Sequence, residues 1–254
     1  MVGFQYKDFT IFGFLRTLFA PSVFKASRET ELLHLYFSGV ERGTFVDVGA
    51  NAADSAVSLP FLRTGWTGIA VDPIPANAES LREAGYQVWC GAVTSEVRAK
   101  EGETSFFVAG GTTGRKSSLE PTNIDPALCL DEIVVPLVTL SDLMFRFGLT
   151  RLDLLSVDVE GCEADVLSTM DESTVSGLLL VEDWARDTSL HSLIVSRGYK
   201  RVRRTGYNSW YVPAGAEFPL SIWGWLHLVA KLNLFCVVRR WRFERRKRAY
   251  DSVR

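Results

Sequence analysis

Scarcity bounds this chain first. Three histidines and four cysteines are spread over 254 residues. Cys90, Cys129, Cys162 and Cys236 lack C-x-x-C spacing, which excludes a zinc ribbon or a thioredoxin-like redox pair and leaves reduced, mostly buried thiols on a cytosolic face. The longest apolar stretch, Phe218 to Val238, is broken by Gly224, His227, Lys231 and Asn233, so a bilayer span is not expected. The N-terminus shows no basic leader and no small-residue cleavage site, and a secretory signal is not expected either. The dinucleotide fingerprint G-x-G-x-x-G is also missing: Gly49 is followed by Ala50, Asn51, Ala52 and Ala53, which argues against a pyrophosphate-binding turn.

What is present reads as one large α/β domain with appendages. A hydrophobic fraction of 47% against 23% charged residues excludes wholesale disorder. Phe45-Val46-Asp47-Val48-Gly49-Ala50-Asn51 has the pattern of a buried strand ending in an acid and a tight turn, with a helix expected over 52–63. Open α/β sheets bind ligands at such carboxyl ends. A second short strand, Thr67 to Asp72, ends in another carboxylate 25 residues beyond Asp47. At that position an acid suits ribose hydroxyls. A nucleoside ligand without a pyrophosphate follows, and S-adenosylmethionine is the commonest of these.

Further elements alternate. A helix is expected over 29–37 and another over 75–84, closed by Gly85. Residues 86–93 read as a third strand and 94–103 as a polar turn. After a short strand at 105–109, the polar, Gly-rich segment 110–118 reads as a surface loop or, functionally, as a lid or substrate contact. A strand over 132–140 leads to a helix over 142–147, capped by Ser141. Leu152 to Gly161 reads as a buried strand whose carboxyl end carries Asp158 and Glu160. A helix over 162–170 and a strand over 177–181 follow, the latter ending in Glu182-Asp183. A helix over 189–197 leads to a hairpin of 199–204 and 209–212 turned by Thr205-Gly206-Tyr207-Asn208. The expected architecture is a mostly parallel sheet with one antiparallel strand.

Phe45–Asn51, Gly65–Pro73 and Leu155-Ser156-Val157-Asp158-Val159-Glu160-Gly161-Cys162-Glu163 resemble the FkbM family of S-adenosylmethionine-dependent methyltransferases. Ser117-Ser118-Leu119 and Val135–Leu140 match segments typical of it. The resemblance runs from about Thr44 to Tyr199, and the D-V-E-G stretch is its most specific part. It implies a class I (Rossmann-like) seven-stranded, mostly parallel sheet with a C-terminal antiparallel hairpin strand. It also implies O-methylation of a saccharide, glycolipid or polyketide hydroxyl. By position, Asp47, Gly49, Ala50 and Asn51 would line the methionine part of the cofactor, and Asp72 would hold the ribose. The backbone around Ala92 would meet adenine, and Asp158 would sit beside the methyl group. Ala52-Ala53 stand where the family often has Asp-Gly.

Methyl transfer to an alcohol needs alignment plus a proton acceptor or a metal. Asp158, Glu182 and His191 are the catalytic candidates. Some macrolide-sugar O-methyltransferases hold a divalent metal with a comparable acid set, and Asp158 with Glu182-Asp183 resembles it. Oxygen ligands of this kind suit Mg²⁺. The competing reading gives Glu182 a substrate or amide partner and leaves His191 structural.

The chain ends are distinct. Residues 1–40 form an aromatic-rich and helical lead-in, 41–215 the methyltransferase domain, and 216–254 an amphipathic, basic tail. From Arg239 onward eight Arg or Lys face two acids, a net of +6, which leaves −8 for the rest of a chain whose total is −2. That split points to an anionic membrane surface, with peripheral attachment on the cytoplasmic face, and not to nucleic acid. The competing reading docks the tail helix on the domain itself or on a second subunit, as in a homodimer. A non-catalytic membrane adaptor and a soluble secondary-metabolite methyltransferase stand as alternative functions.

Overall fold

The structure is a computed structural model that describes residues 22–110, 116–124, 130–183, 188–218, 222–230 and 232. It divides into two compact units, Val40–Glu182 and a second made of Met1–Gly39 with Asp183–Arg254.

The first unit is built on parallel strands. β1 (Thr44–Val48) pairs with β2 (Thr67–Asp72) on one side and with β7 (Leu152–Val157) on the other. β2 pairs with β3 (Gln87–Cys90), and β7 with β8 (Ser176–Glu182), all parallel. Phe45, Val46, Val48, Leu154, Leu155 and Val157 are at most 1% exposed. Strands covered on both faces carry continuous apolar runs instead of alternation. At Gly68 a Cβ would lie 2.1 Å from the Phe45 carbonyl oxygen, so only glycine lets β1 and β2 pair at this point.

The expected helix over 52–63 is shorter in the structure: turns occupy 53–58, and α2 covers only Leu59–Arg63. Pro60 explains the late start, because proline fits a first helical turn and would clash in the interior of a longer helix. α3 (Pro75–Glu83) agrees with expectation, with Gly85 at φ +96 just beyond it. Residues 86–93 form two strands instead of one: Gly91 separates β3 from β4 (Ala92–Val93), and the short helix α4 (Glu96–Ala99) interrupts the expected polar turn.

A second, three-stranded sheet was not anticipated. β6 (Leu130–Val138) takes β4 in parallel and β5 (Glu103–Ala109) antiparallel. Ala92, Phe106, Leu119, Val135, Leu137 and Cys162 form the core beneath it. α5 (Leu140–Arg146) is capped by Thr139, whose hydroxyl accepts from the Asp142 amide, and not by Ser141. The Ser141 hydroxyl donates to the Thr169 carbonyl instead. α6 (Glu163–Ser168) follows β7.

The second unit contains α1 (Ser22–Tyr36), α7 (Thr188–Ser196), an antiparallel hairpin of β9 (Tyr199–Thr205) with β10 (Asn208–Pro213), and α8 (Ile222–Ala230). Asp183, 3% exposed, receives Nη1 of Arg204 at 3.0 Å, and Arg204 also donates to Ser209 Oγ at 2.9 Å. The Glu29 carboxylate accepts from Thr205 and from Asn208 Nδ2. With the order β3-β2-β1-β7-β8 in the first unit and β10-β9 in the second, the chain has the expected mixed α/β, seven-stranded and mostly parallel fold.

Cys90 and Cys162 are free thiols; Cys129 and Cys236 lie outside the described residues. So do most of the 110–118 loop, the N-terminal aromatic stretch and the basic run from Arg239. No helix among the described residues is long and apolar enough to cross a membrane.

Candidate functional site

Three chain reversals meet at the carboxyl ends of β1, β2 and β7. After β1, Gly49 adopts φ +82 and Asn51 φ +61. The amides of Gly49 and Ala50 both donate to the Val71 carbonyl, at 2.9 and 3.0 Å, which fastens this turn to β2. On its other side, a Cβ on Gly49 would lie 1.8 Å from the Asp158 carbonyl oxygen, and the Asp158 amide donates to Val48 at 2.9 Å. Gly49 is what lets the turn after β1 lie flat against the end of β7.

The two strand-end acids have different surroundings. Asp47 is 3% exposed, and its Oδ2 accepts both the amide of Ser58 at 3.1 Å and its hydroxyl at 2.6 Å. Burial raises its pKa, partly offset by these bonds and one from Ser156. It ties β1 to the start of α2. Asp72, 5% exposed, accepts from Ile74 N and Asn77 Nδ2 on Oδ1, and from Asn51 N at 2.9 Å on Oδ2. Burial raises its pKa as well. Oδ1 is saturated, whereas Oδ2 keeps room for one more donor. A ribose hydroxyl fits that remaining position. Ala92 lies in β4 with its side chain in the second core, so only its backbone is free to meet a ligand, and the Gly91 amide donates to the Asp72 carbonyl at 3.3 Å.

β7 and β8 end in a group of acids. Asp158, Glu160 and Glu182 each offer a carboxylate oxygen, and these atoms lie within 4.8 Å of one another. Asp158 is exposed, Glu160 half-buried and Glu182 buried. Burial, then the charges of Asp158 and Glu160, push Glu182 up to about 11. Burial, then the charges of Asp158 and Glu163, raise Glu160 to about 7, against the lowering pull of Lys116.

The turn carrying these acids is fixed from several directions. Glu160 sits at φ +52, a conformation that a non-glycine residue adopts only when its surroundings enforce it. The Glu163 carboxylate accepts from the Val159 amide at 3.2 Å and the Gly161 amide at 3.0 Å. Ser118 Oγ donates to the Glu160 carbonyl at 3.1 Å, and Gly161 packs against the Asn123 amide group. Glu163, raised to about 7 mainly by burial, has a holding role that its place in the run Asp158–Glu163 does not announce. Ser58 and Asn77 were also missed. Only the Ser-Leu-Pro start of α2 hints at the first.

Asp183 and His191 belong to the second unit. Asp183 is engaged by Arg204 and by Arg201, at 3.8 Å, so the acid group around Asp158 contains Glu160 in the place expected for Asp183. His191 Nδ1 lies 3.1 Å from the Tyr211 hydroxyl, which also accepts from Arg201 Nε at 2.8 Å. Burial and the Arg201 charge lower the His191 pKa.

Residues 47–184, more than half of the chain, match the model of the methyltransferase FkbM domain. The match opens on Asp47 and takes in the Gly49 turn, Asp72, the second sheet and the whole acid group. No curated protein matches the chain. Among solved structures, a ribosomal protein L11 methylase from Lactobacillus delbrueckii subsp. bulgaricus is similar, with 10% identity, 73% of this chain and 77% of that chain covered, and a TM-score of 0.39. A likeness that loose bears no functional argument.

Proposed function

The chain belongs to the FkbM methyltransferase family, and on that footing we propose that it carries a methyl group from S-adenosylmethionine to a hydroxyl of a saccharide, glycolipid or polyketide. The observation that carries this reading is the contact between Gly49 and the Asp158 carbonyl. It puts the turn suited to the cofactor and the acid end of β7 on one continuous surface. In this reading Gly49, Ala50 and Asn51 border the methionine part, Asp72 Oδ2 receives a ribose hydroxyl, and the backbone at Ala92 borders adenine. Asp47 supports the turn from below through Ser58. When bound, S-adenosylmethionine supplies an electrophilic methyl group.

This chain's own residues supply alignment and a place for the proton. An acceptor hydroxyl set against the acid group donates to Asp158, the solvent-facing member, and that carboxylate takes its proton as the oxygen attacks. The fixed turn of residues 158–161 keeps Asp158 at one distance from Gly49. Such positioning is a large part of rate enhancement in bimolecular transfers.

Peripheral attachment to an anionic membrane belongs to the same reading. It is supported by the basic run from Arg239 and by α8, where Ile222 and Trp225 are exposed. It favours a lipid-linked acceptor. Pelleting with phosphatidylserine vesicles should depend on the tail; equal recovery with neutral vesicles would remove this support.

The cofactor half is tested by titrating S-adenosylhomocysteine into the protein in a calorimeter, with Asp72→Asn and Asp72→Ala beside it. Saturable binding that both variants weaken, in samples that still melt cooperatively, is the expected result. A well-folded wild type that takes up no S-adenosylhomocysteine overturns the methyl-transfer reading.

A further inference from the structure

We propose that Asp158, Glu160 and Glu182 form a binding site for one hard divalent cation of the Mg²⁺, Mn²⁺ or Ca²⁺ class. Three observations lead there. The donor set is all oxygen, one atom from each of three carboxylates, with no nitrogen or sulfur ligand in the group. All-oxygen sets select hard cations over zinc or copper. The spread also fits: ligands on opposite sides of such a cation stand about 4 to 5 Å apart, and the three oxygens lie within 4.8 Å of one another.

Glu182 is the independent observation. It is 7% exposed, and its Oε2 has no hydrogen-bond partner. A buried carboxylate oxygen without a donor is costly, and it marks a place where a ligand completes the structure. Every other buried strand-end acid described above is furnished with donors: Asp47 by Ser58, Asp72 by three groups, and Asp183 by Arg204. The Glu182 side chain instead shares a hydrogen bond with another acid, Asp158, and its Oε2 is left without a donor. Among the described residues, Lys116 is the cation that acts on Glu160.

The surrounding turn is consistent with a ligand cradle. Glu163, Ser118 and Asn123 hold residues 159–161 in a conformation that brings Glu160 alongside Asp158, despite their like charges. With a cation in place those charges become mutually supportive. Its remaining positions go to water or to oxygen atoms of an acceptor, which favours a substrate with neighbouring hydroxyls. The site does not depend on the cofactor reading.

The test is direct binding of Mn²⁺ to the full chain, followed by its electron paramagnetic resonance signal, with Mg²⁺ and Ca²⁺ as competitors. One saturable site tighter than about 1 mM, the weak end of oxygen-ligated protein sites, is expected. Glu182→Gln and Glu160→Gln should each weaken it tenfold or more. Asp165→Asn, an acid on α6 outside the group, should bind as the wild type does. Thermal melts establish that the variants fold. No saturable binding, or binding unchanged in both Gln variants, overturns the proposal. S-adenosylhomocysteine titration of the same samples separates the two readings: a protein that binds the nucleoside and no Mn²⁺ loses only the cation site, and the converse loses only the methyl-transfer reading.

Discussion

Gly49→Ala is the most searching perturbation of this site, because the structure fixes its cost from two sources. The residue adopts φ +82, and a side chain there forces a left-handed conformation worth about 1–2 kcal/mol. The new methyl group would also stand 1.8 Å from the Asp158 carbonyl oxygen and 2.8 Å from its carbon. Neither atom is the end of a flexible side chain. The turn after β1 and the end of β7 must separate by about 1 Å or more, which amounts to overpacking of roughly 1–3 kcal/mol. The Asp158 amide, 2.9 Å from the Val48 carbonyl, is loosened in the same movement. A loss of about 2–5 kcal/mol corresponds to a fall in melting temperature on the order of 10 °C for a chain of this size. Thermal denaturation followed by circular dichroism measures the first part, and S-adenosylhomocysteine calorimetry the second, where affinity should drop at least tenfold. A variant that melts within about 2 °C of the wild type and binds normally would refute the close packing of these two turns.

Other outcomes follow from named contacts. Ser58→Ala removes the hydroxyl that donates to Asp47 at 2.6 Å, leaving a buried carboxylate short of one donor; urea denaturation should show a loss of about 1–3 kcal/mol. Arg204→Met leaves Asp183 as a buried charge without its closest partner, and a loss of about 3–5 kcal/mol is expected in the same assay. Glu163 gives a pH signature. Its folded pKa is raised from 4.5 to about 7, so the folded state holds this proton more tightly than the unfolded chain does. The stabilising contribution is complete below about pH 4.5 and is lost as pH rises through 7, a change of about 3 kcal/mol. With a chelator present, the stability of the wild type relative to Glu163→Gln should decline by that amount across this window. Parallel curves for the two proteins would refute the assignment.

The parallel sheet was legible because each buried strand is a short apolar run with a polar turn behind it, as at Phe45–Asn51 and Leu152–Gly161. Glycine marked the chain reversals at Gly49, Gly85 and Gly206 for the same reason that it is needed there: each has positive φ. Pattern could not reveal that Gly91 splits a strand between two sheets, since residues 86–93 alternate no differently on either side of it. Nor could it show that the second sheet docks onto the acid turn through Ser118, 42 residues from Glu160 along the chain. The strand-end acids themselves were visible. Their division into held and open carboxylates was not, because it depends on donors as distant in sequence as Arg204 for Asp183 and Asn51 for Asp72. α2 starts late because Pro60 outweighs the helical pattern before it.

The Asp72 carboxylate joins the segments that follow β1 and β2, taking the Asn51 amide from one and the Ile74 amide and Asn77 side chain from the other. A pocket wall cross-linked in this way is already ordered before any ligand arrives. Entry of a nucleoside then forfeits little backbone entropy, and more of the contact energy remains as affinity. Amide hydrogen exchange offers a view of that economy: Asn51 and Ile74 should be protected in the free protein and gain little on ligand binding. Protection lost at both positions in Asp72→Ala would mark one side chain as the source of the rigidity.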